Sequence, residues 1–171
     1  MTIDIATIDN IPELNKLVNS AYRGDSSRHG WTTEADLLGG IRTNEELLIK
    51  EFLQPGASIL KYVDDGQIQG CVYLRKNDQR LYLGMFTVSP YQQNKGIGKL
   101  LLRAAEEHAI KVKCKSIYMT VISVRHELIS WYERHDYVQT GEIVPFPMDN
   151  PDFGLPKQQL EMIVLEKIVD N

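Results

Sequence analysis

Three consecutive stretches in the middle of the chain are rich in apolar, β-branched and aromatic residues and are separated by turn signals, which is the pattern of β-strands. Asp65-Gly66 separates the first two stretches and is a strong hairpin signal, and Asn77-Asp78 is a weaker one. The third stretch is apolar on both faces over residues 81–88, as expected at the centre of a sheet. The pattern therefore predicts an antiparallel meander with strands at residues 58–63, 67–75 and 80–88.

The beginning of the chain shows a strand pattern and then a helix pattern. Residues 2–8 alternate as a strand, and Asp9-Asn10 is placed to cap a helix with Pro12 in its first turn. One apolar stripe on this helix is formed by Leu14, Leu17, Val18 and Ala21. These signals predict that the chain opens with a β-α unit.

The next segment is predicted as a loop followed by two helices. Residues 23–31 are polar and read as a loop. Thr32 or Thr33 is expected to cap a short helix that carries Ala35, Leu37 and Leu38. Thr43 is expected to cap a further helix over residues 45–53, with acidic residues in its first turn.

After the meander, helix and strand patterns alternate. An apolar stripe at helical spacing over residues 97–112 is predicted to face the sheet. The stripe consists of Ile97, Leu100, Leu101, Ala104, Ala105, His108 and Val112. Strands are predicted at residues 116–122, 137–143 and 160–168, and a helix at residues 125–134. Residues 145–156 contain four prolines, which predicts no regular structure there.

The turn between the third meander strand and the helix that follows is rich in glycine. It reads Gln93-Asn94-Lys95-Gly96-Ile97-Gly98 and leads into the first helical turn. The first turn of a helix has unpaired N–H groups and a partial positive charge, so it can hold phosphate. Gly96 and Gly98 lack Cβ atoms, which lets a ligand approach the backbone, and Lys95 and Lys99 add positive charge. The segment therefore predicts a diphosphate cradle.

The spacing within this cradle excludes two common phosphate-binding loops. A Walker loop requires G-x-x-x-x-G-K-[ST], but Gly98-Lys99 is followed by leucine and has no matching glycine upstream. The dinucleotide motif G-x-G-x-x-G fails because Leu101 stands at the position of its third glycine. The remaining pattern, Q-x-x-G-x-G, resembles the motif with which the GNAT superfamily of N-acetyltransferases binds the diphosphate of acetyl-CoA.

A second segment carries the same resemblance. Trp131-Tyr132-Glu133 ends a predicted helix, and Tyr137 and Thr140-Gly141-Glu142 follow it, as in a later GNAT motif. The two motifs occur in the family's order, about 30 residues apart, and the chain is identified as a member of the superfamily. The resemblance implies an α/β (α+β) fold with a mixed, mainly antiparallel central sheet of about seven strands and four to five flanking helices. A single domain over residues 1–171 is expected.

The resemblance also implies which residues meet acetyl-CoA. Tyr132 matches the tyrosine that in many GNAT enzymes protonates the leaving CoA sulfur, and a phenol with a pKa near 10 is protonated at neutral pH. The alternative is that Tyr132 is a buried structural residue. Arg125 replaces an asparagine of many relatives and either reaches a phosphate or begins a helix. The expected acetyl-CoA contacts are Phe86, Thr87, Val88, Gln93, Asn94, Lys95, Gly96, Ile97, Gly98, Lys99 and Arg125.

The general base is less well defined by the resemblance. Many relatives have a glutamate on the central strand where this chain has Gly84. Glu34 is a candidate base because the corresponding region lines the acceptor side in the family. The alternative is that Glu34 is a glutamate in the first turn of a helix, where its charge interacts favourably with the helix dipole. Trp31 in the same segment, and Phe146 in the proline-rich segment, are expected to contact the acceptor. No base is assigned, and a chain of water molecules is the other option.

Composition and charge narrow the classes of molecule that this protein is expected to bind. The net charge of −4 shows no dominant basic face, so no nucleic-acid partner is expected. Two cysteines and four histidines lack metal-ligand spacing, so no metal is expected. No signal peptide and no membrane segment are recognised, which predicts a cytoplasmic protein. The sequence leaves open whether the protein forms a homodimer.

These observations together predict an acetyl-CoA-dependent N-acetyltransferase. Its acceptor is expected to be a primary amine of a small molecule or an amino-acid-like compound. Two alternatives remain: a protein acetyltransferase acting on a lysine or an N-terminal amine, and a non-catalytic acyl-CoA-binding module. The missing strand glutamate favours the module, and Tyr132 argues against it.

Overall fold

A computed structural model describes residues 1–169, and most of its strands belong to one seven-stranded sheet. The elements in chain order are β1 (Thr2–Ile5), α1 (Ile11–Tyr22), α2 (Gly24–Ser27), β2 (Leu38–Gly39), α3 (Glu45–Phe52), β3 (Ala57–Asp64), β4 (Gln67–Asn77), β5 (Arg80–Val88), α4 (Ile97–Lys111), β6 (Ser116–Ile122), α5 (His126–Glu133), β7 (Val138–Pro145), β8 (Leu155–Pro156) and β9 (Glu161–Ile168). Short 3-10 helices occur at Ile8–Asn10 and Pro151–Phe153.

The strands of the large sheet lie in the order β1-β3-β4-β5-β6-β9-β7. Every neighbouring pair is antiparallel except β5 and β6. One face of the sheet packs against α4 and α5, and the other packs against α1 and α3. The predicted mixed, mainly antiparallel sheet with helices on its faces is therefore confirmed, as is the central meander.

The centre of the sheet is split at the end of β5. Cys71 pairs with Thr87 and Tyr73 pairs with Gly84, so β5 contains an extra residue, and Met85 in this bulge has a φ of 51°. The parallel pairing of β5 with β6 includes only residues 80–82 of β5. Beyond that point the two strands are not paired, and the opening between them is where the cavities described below lie.

The helix predicted after Thr32 is wrong. Residues 34–37 form a turn, and Leu38 then pairs with Pro156 in the small β2–β8 sheet. A helix this short is marginal by itself, so tertiary contacts decide its conformation. Here Leu38 is buried beside Ile122, Phe146 and Leu160, and Glu34 is held by two arginines, which favours the extended path.

Several smaller predictions also require correction. Asn44, not Thr43, caps α3, because its Oδ1 accepts a hydrogen bond from the Leu47 N–H at 2.8 Å. The loop predicted at residues 23–31 contains α2, and the proline-rich segment contains a 3-10 turn and β8. Leu100 is 46% exposed, since the buried stripe of α4 runs through Leu102 and Ala109 instead.

Candidate active site

The predicted cradle lies where β5 leads into α4. Gly96 caps α4 with a φ of 81°, a left-handed conformation that favours glycine. The Leu100 N–H bonds to the Gly96 carbonyl, so the N–H groups of residues 97–99 precede the first helical hydrogen bond. The same residues line a cavity of about 450 Å³, together with Gly96. The cradle thus has the free donors that phosphate oxygens require.

An aromatic wall from α5 closes the other side of this larger cavity. Trp131 lies with its ring centroid 5.8 Å from Phe86 and 5.2 Å from Tyr132. A Cβ atom at Gly98 would lie only 3.3 Å from the Trp131 ring. Glycine at position 98 therefore lets the first turn of α4 approach α5 without displacing the tryptophan.

Gln93 connects the cradle to the loop that precedes β2. Its Oε1 accepts a hydrogen bond from the Trp31 N–H at 2.8 Å, and its Nε2 donates to the Val88 carbonyl at 3.2 Å. The side chain therefore ties residues 30–32 to the end of β5. Trp31 and Thr32 consequently line the larger cavity although they are distant from it in sequence.

A smaller cavity of about 240 Å³ lies beyond the end of the larger one. Its walls come from β5, β6, the loop before β2 and the proline-rich segment. Five residues line both cavities and form the boundary between them: Tyr22, Phe86, Arg125, Leu128 and Tyr132. Two compartments of different size thus meet at a tyrosine-rich boundary.

Tyr132 is the central residue of this boundary. Its side chain is almost fully buried, and burial, with smaller contributions from neighbouring tyrosines, raises its pKa well above the ordinary value. The phenol therefore remains protonated over the whole physiological range. Tyr22 is also part of the boundary: its hydroxyl donates to the Phe86 carbonyl at 2.6 Å, and burial raises its pKa to about 12.

Glu34 lies at the centre of a buried ion network. Arg23 contacts one carboxylate oxygen, and Arg125 Nη1 donates to the other at 2.9 Å. Arg125 Nη2 also donates to the Thr32 hydroxyl at 2.7 Å, and Arg23 Nη2 to the Phe153 carbonyl at 3.3 Å. Since no helix forms here, the interpretation of Glu34 as a first-turn residue is wrong. Each carboxylate oxygen of Glu34 thus contacts an arginine, and Glu34 is the shared anion of the network.

Arg125 is the N-cap residue of α5, and its guanidinium turns towards Glu34 rather than towards the cradle. It lines both cavities, but its hydrogen bonds to Glu34 and Thr32 would have to break for it to reach a phosphate at α4. The expected contact between Arg125 and acetyl-CoA stays a prediction.

The position of the family's strand glutamate is filled by an aromatic ring. A Cβ atom at Gly84 would lie 2.7 Å from Tyr82 Cε1, because Tyr82 folds back over the glycine. Tyr82 lines the smaller cavity, and burial raises its pKa, so it is not a base at neutral pH. A side chain at position 84 and the present Tyr82 ring are therefore mutually exclusive.

The structure brings most of the predicted site residues together. The larger cavity is lined by Trp31, Phe86, Thr87, Val88, Gln93, Asn94, Gly96, Ile97, Gly98, Lys99, Arg125 and Tyr132. Glu34 and Phe146 line the smaller cavity, and Phe146 is also part of a buried apolar cluster. Lys95 lines neither cavity, and its Nζ donates to Gln92 Oε1 at 2.8 Å.

The lining residues that the sequence interpretation missed include Tyr22, Arg42, Tyr82 and His135. Tyr22 and Arg42 lie in the first third of the chain, where no motif identifies them. Tyr82 could have been found from the sequence. Residues two positions apart in a strand lie on the same face of the sheet, so the large Tyr82 side chain lies beside Gly84. His135 follows directly on the second motif, so its proximity to Trp131 was predictable.

Among residues 1–169, no three His, Cys, Asp or Glu side chains converge on a point where a metal ion would be held. None of the helices described is long and apolar enough to cross a bilayer.

Comparison with known proteins agrees with the geometry. The family model described as Acetyltransferase (GNAT) family matches residues 12–137. The probable spermine N(1)-acetyltransferase of Bacillus subtilis subsp. natto (strain BEST195) and the spermine/spermidine N(1)-acetyltransferase of Bacillus subtilis (strain 168) are each 32% identical over 65 residues. That match covers 37% of this chain and 43% of each relative, so the chain spans less than half the length of these curated relatives.

Among solved structures, the ribosomal-protein-S18-alanine N-acetyltransferase from Escherichia coli superposes with a TM-score of 0.73. The superposition covers 99% of this chain and 94% of that one at 13% identity, which shows a shared fold. The split sheet, with a glycine-rich turn before α4, thus has the fold of an N-acetyltransferase. Within that class, the chain belongs to the GNAT family of acetyltransferases, whose acetyl donor is acetyl-CoA.

Proposed function

We propose that this protein transfers the acetyl group of acetyl-CoA directly to a primary amine of a small molecule or an amino-acid-like compound. The observation that carries the proposal is the meeting of two cavities at Tyr132. Direct transfer requires the thioester and the amine to approach each other from two sides of one point. We further propose that residues 1–171 act as one N-acetyltransferase domain, since the fold match extends over 99% of the chain.

In this proposal, the larger cavity holds acetyl-CoA. The N–H groups at the start of α4 bind the diphosphate, and Lys99 adds positive charge. The backbone of residues 86–88, at the open end of β5, offers N–H groups to the thioester carbonyl oxygen as negative charge develops there. Trp131 and Phe86 provide the apolar wall for the rest of the donor.

Tyr132 is proposed as the general acid. The amine nitrogen attacks the thioester carbon, the carbon–sulfur bond breaks, and the Tyr132 hydroxyl gives its proton to the departing sulfur. Two features support this role: the phenol lies at the junction of the cavities, and its raised pKa keeps it protonated. In this proposal the amine loses its own proton to water, because position 84 has no carboxylate and Glu34 is held between two arginines.

This assignment predicts an unusual pH dependence. The kcat/KM for the amine should rise about tenfold per pH unit from pH about 6 to about 8, because the neutral fraction of an amine with a pKa near 10 rises at that rate. The kcat/KM should not decrease again below pH about 10, because burial raises the pKa of Tyr132 and so keeps this proton donor protonated. Initial rates of thiol release across this pH range provide the measurement.

An acceptor whose amine is already neutral at pH 6 is the control and should give a flat profile. A plateau near neutral pH with the basic amine would indicate an enzymatic base. A decrease between pH 8 and 10 would contradict Tyr132 as the proton donor.

The acceptor is proposed to be a small molecule because the smaller cavity has a limited volume and is enclosed by the proline-rich segment. Its volume of about 240 Å³ suits a compact molecule, and Phe146, Pro147 and Phe153 of the proline-rich segment cover it. The Bacillus relatives are named for spermine and spermidine, so polyamines are included among the candidate acceptors.

The proposal is tested with a panel of amines. Free thiol release from acetyl-CoA is followed while mass spectrometry identifies the acetylated product. Acetylation of a small amine supports the proposal. Thiol release only with peptides would favour a protein acetyltransferase, and tight CoA binding without any transfer would favour a binding module.

The cradle itself can be tested with two matched glycines. Gly96→Leu should weaken CoA affinity by at least tenfold, about 1.4 kcal/mol, because the side chain would occupy the space that phosphate approaches. Gly66→Leu is the control, since both glycines have positive φ values, 81° and 72°, and neither has an atom within 4 Å of a Cβ position. Both variants should lose similar stability, whereas only Gly96→Leu should change the Kd for CoA measured by calorimetry. Equal CoA binding by the two would contradict the assignment.

A further inference from the structure

We propose that the acceptor carries a carboxylate close to its amine, and that Arg42 binds this carboxylate in the smaller cavity. The inference rests on the proposed function and narrows its substrate class to amino acids and similar compounds. Four features support it: the net charge of the cavity, the lack of an ion-pair partner for Arg42, the fixed backbone at Arg42, and the size of the compartment.

The charge of the smaller cavity is positive. Its charged lining residues are the three arginines Arg23, Arg42 and Arg125 and one glutamate, Glu34. The other lining residues are apolar or neutral tyrosine and threonine side chains. Three cations against one anion leave an excess of two positive charges, and a compact anion would offset part of it.

Arg42 is the lining arginine whose guanidinium is available to bind a ligand anion. Arg23 and Arg125 are both paired with Glu34, the only carboxylate in the cavity lining of the described chain. None of the ion pairs formed within residues 1–169 includes Arg42. Its guanidinium instead lies over the Tyr22 ring, 5.2 Å from the centroid. The planar group thus has free N–H donors beside the boundary between the two cavities.

The backbone at Arg42 is held in place by Asn19 of α1. Asn19 Oδ1 accepts from the Arg42 N–H at 2.7 Å and from the Thr43 N–H at 3.1 Å. Asn19 Nδ2 donates to the Thr43 carbonyl at 2.9 Å. Stacking on Tyr22 and anchoring by Asn19 position the guanidinium before a ligand arrives, which lowers the entropic cost of binding.

Size and electrostatics then define the acceptor. Arg42 and Tyr132 line the same cavity of about 240 Å³, so an amine directed at Tyr132 and a carboxylate on Arg42 must lie a few bonds apart. A polyamine would bring further positive charge into a compartment with an excess of positive charge, which is unfavourable. The same field disfavours the ammonium form of the acceptor and so helps to generate the neutral amine where no base is available.

The test compares amino acids with their carboxamides, with each kcat/KM expressed per neutral amine because the carboxylate also raises the pKa of the neighbouring amine. The wild type should acetylate at least one L-amino acid with a kcat/KM roughly 10- to 100-fold above that of its carboxamide, as expected for a charge-assisted hydrogen bond. Arg42→Gln should reduce this ratio to near unity, and Arg42→Lys should retain part of it. The ratio is measured within one enzyme preparation, so a loss of folded protein cannot change it.

Arg28→Gln is the matched control. Arg28 lies in the same region of the chain but lines neither cavity, and it pairs with Asp36 on the surface. Its variant should keep the wild-type ratio. A preference for spermidine or for the carboxamides, or an unchanged ratio in Arg42→Gln, would overturn the inference while acetyl transfer stands.

A further measurement separates failure of the inference from failure of the proposed function. If no amine in the panel is acetylated, the proposed function fails, and succinate titrated into the CoA-saturated protein decides the anion site by itself. Succinate binding that Arg42→Gln weakens at least tenfold supports the site. The absence of succinate binding, or equal binding by wild type and variant, overturns it.

Discussion

Glu34→Gln is expected to lower the free energy of unfolding by about 3–5 kcal/mol, because removal of one charge from a buried ion network leaves the remaining charges uncompensated. Arg23 and Arg125 both pair with Glu34, and their side chains are 4% and 7% exposed, while Arg125 Nε also lies 3.8 Å from the half-exposed carboxylate of Glu127. Glutamine keeps the shape of the side chain but offers one neutral acceptor oxygen to two guanidinium groups. Thermal unfolding should therefore show a decrease in Tm of roughly 6–20 °C.

Asp36→Asn provides the control for this prediction. Asp36 follows two residues after Glu34 and pairs with Arg28 at 2.8 Å, but its side chain is 76% exposed. Solvent screens such a pair, so no measurable change in Tm is expected. If Glu34→Gln kept the wild-type Tm but abolished acetyl transfer, Glu34 would be the general base rather than a structural ion.

Tyr132→Phe is expected to reduce kcat by roughly 100-fold, the lower end of what a positioned general acid contributes. The substitution removes the proton donor but keeps the ring, which packs with centroids 6.0 Å from Phe86 and 5.8 Å from Tyr137. CoA affinity and Tm should therefore change little. Steady-state and single-turnover rates together would show that the chemical step has slowed.

Tyr137→Phe is the matched control for the loss of a buried hydroxyl. The Tyr137 hydroxyl is enclosed and has no hydrogen-bond partner within the described residues, so its removal should be neutral or stabilising. Its kcat should equal that of the wild type. The defect of Tyr132→Phe should also become smaller with an acyl donor whose thiol leaves easily, because protonation then matters less. A wild-type kcat for Tyr132→Phe, under conditions where chemistry limits the rate, would leave Tyr132 with a structural role.

The central meander, the glycine-rich turn and the fold class followed from the sequence because their signals are local. The apolar strand pattern, the Asp65-Gly66 hairpin and the unpaired first turn of α4 depend on residues within a few positions of one another. The two motifs then identified the family, which the match over residues 12–137 confirms.

The smaller cavity was decided only by the tertiary structure. Glu34 meets Arg125 across 91 positions, and Arg42 faces Tyr82 and Tyr132 only because the split sheet brings three distant segments around one cavity. The extended path of residues 34–39 also depends on pairing with β8, far along the chain. Such contacts leave no periodicity or turn signal in the sequence, since each residue alone is an ordinary polar residue of a loop. Local pattern therefore determined the fold and the cradle, whereas long-range contacts determined which charged residues line the smaller cavity.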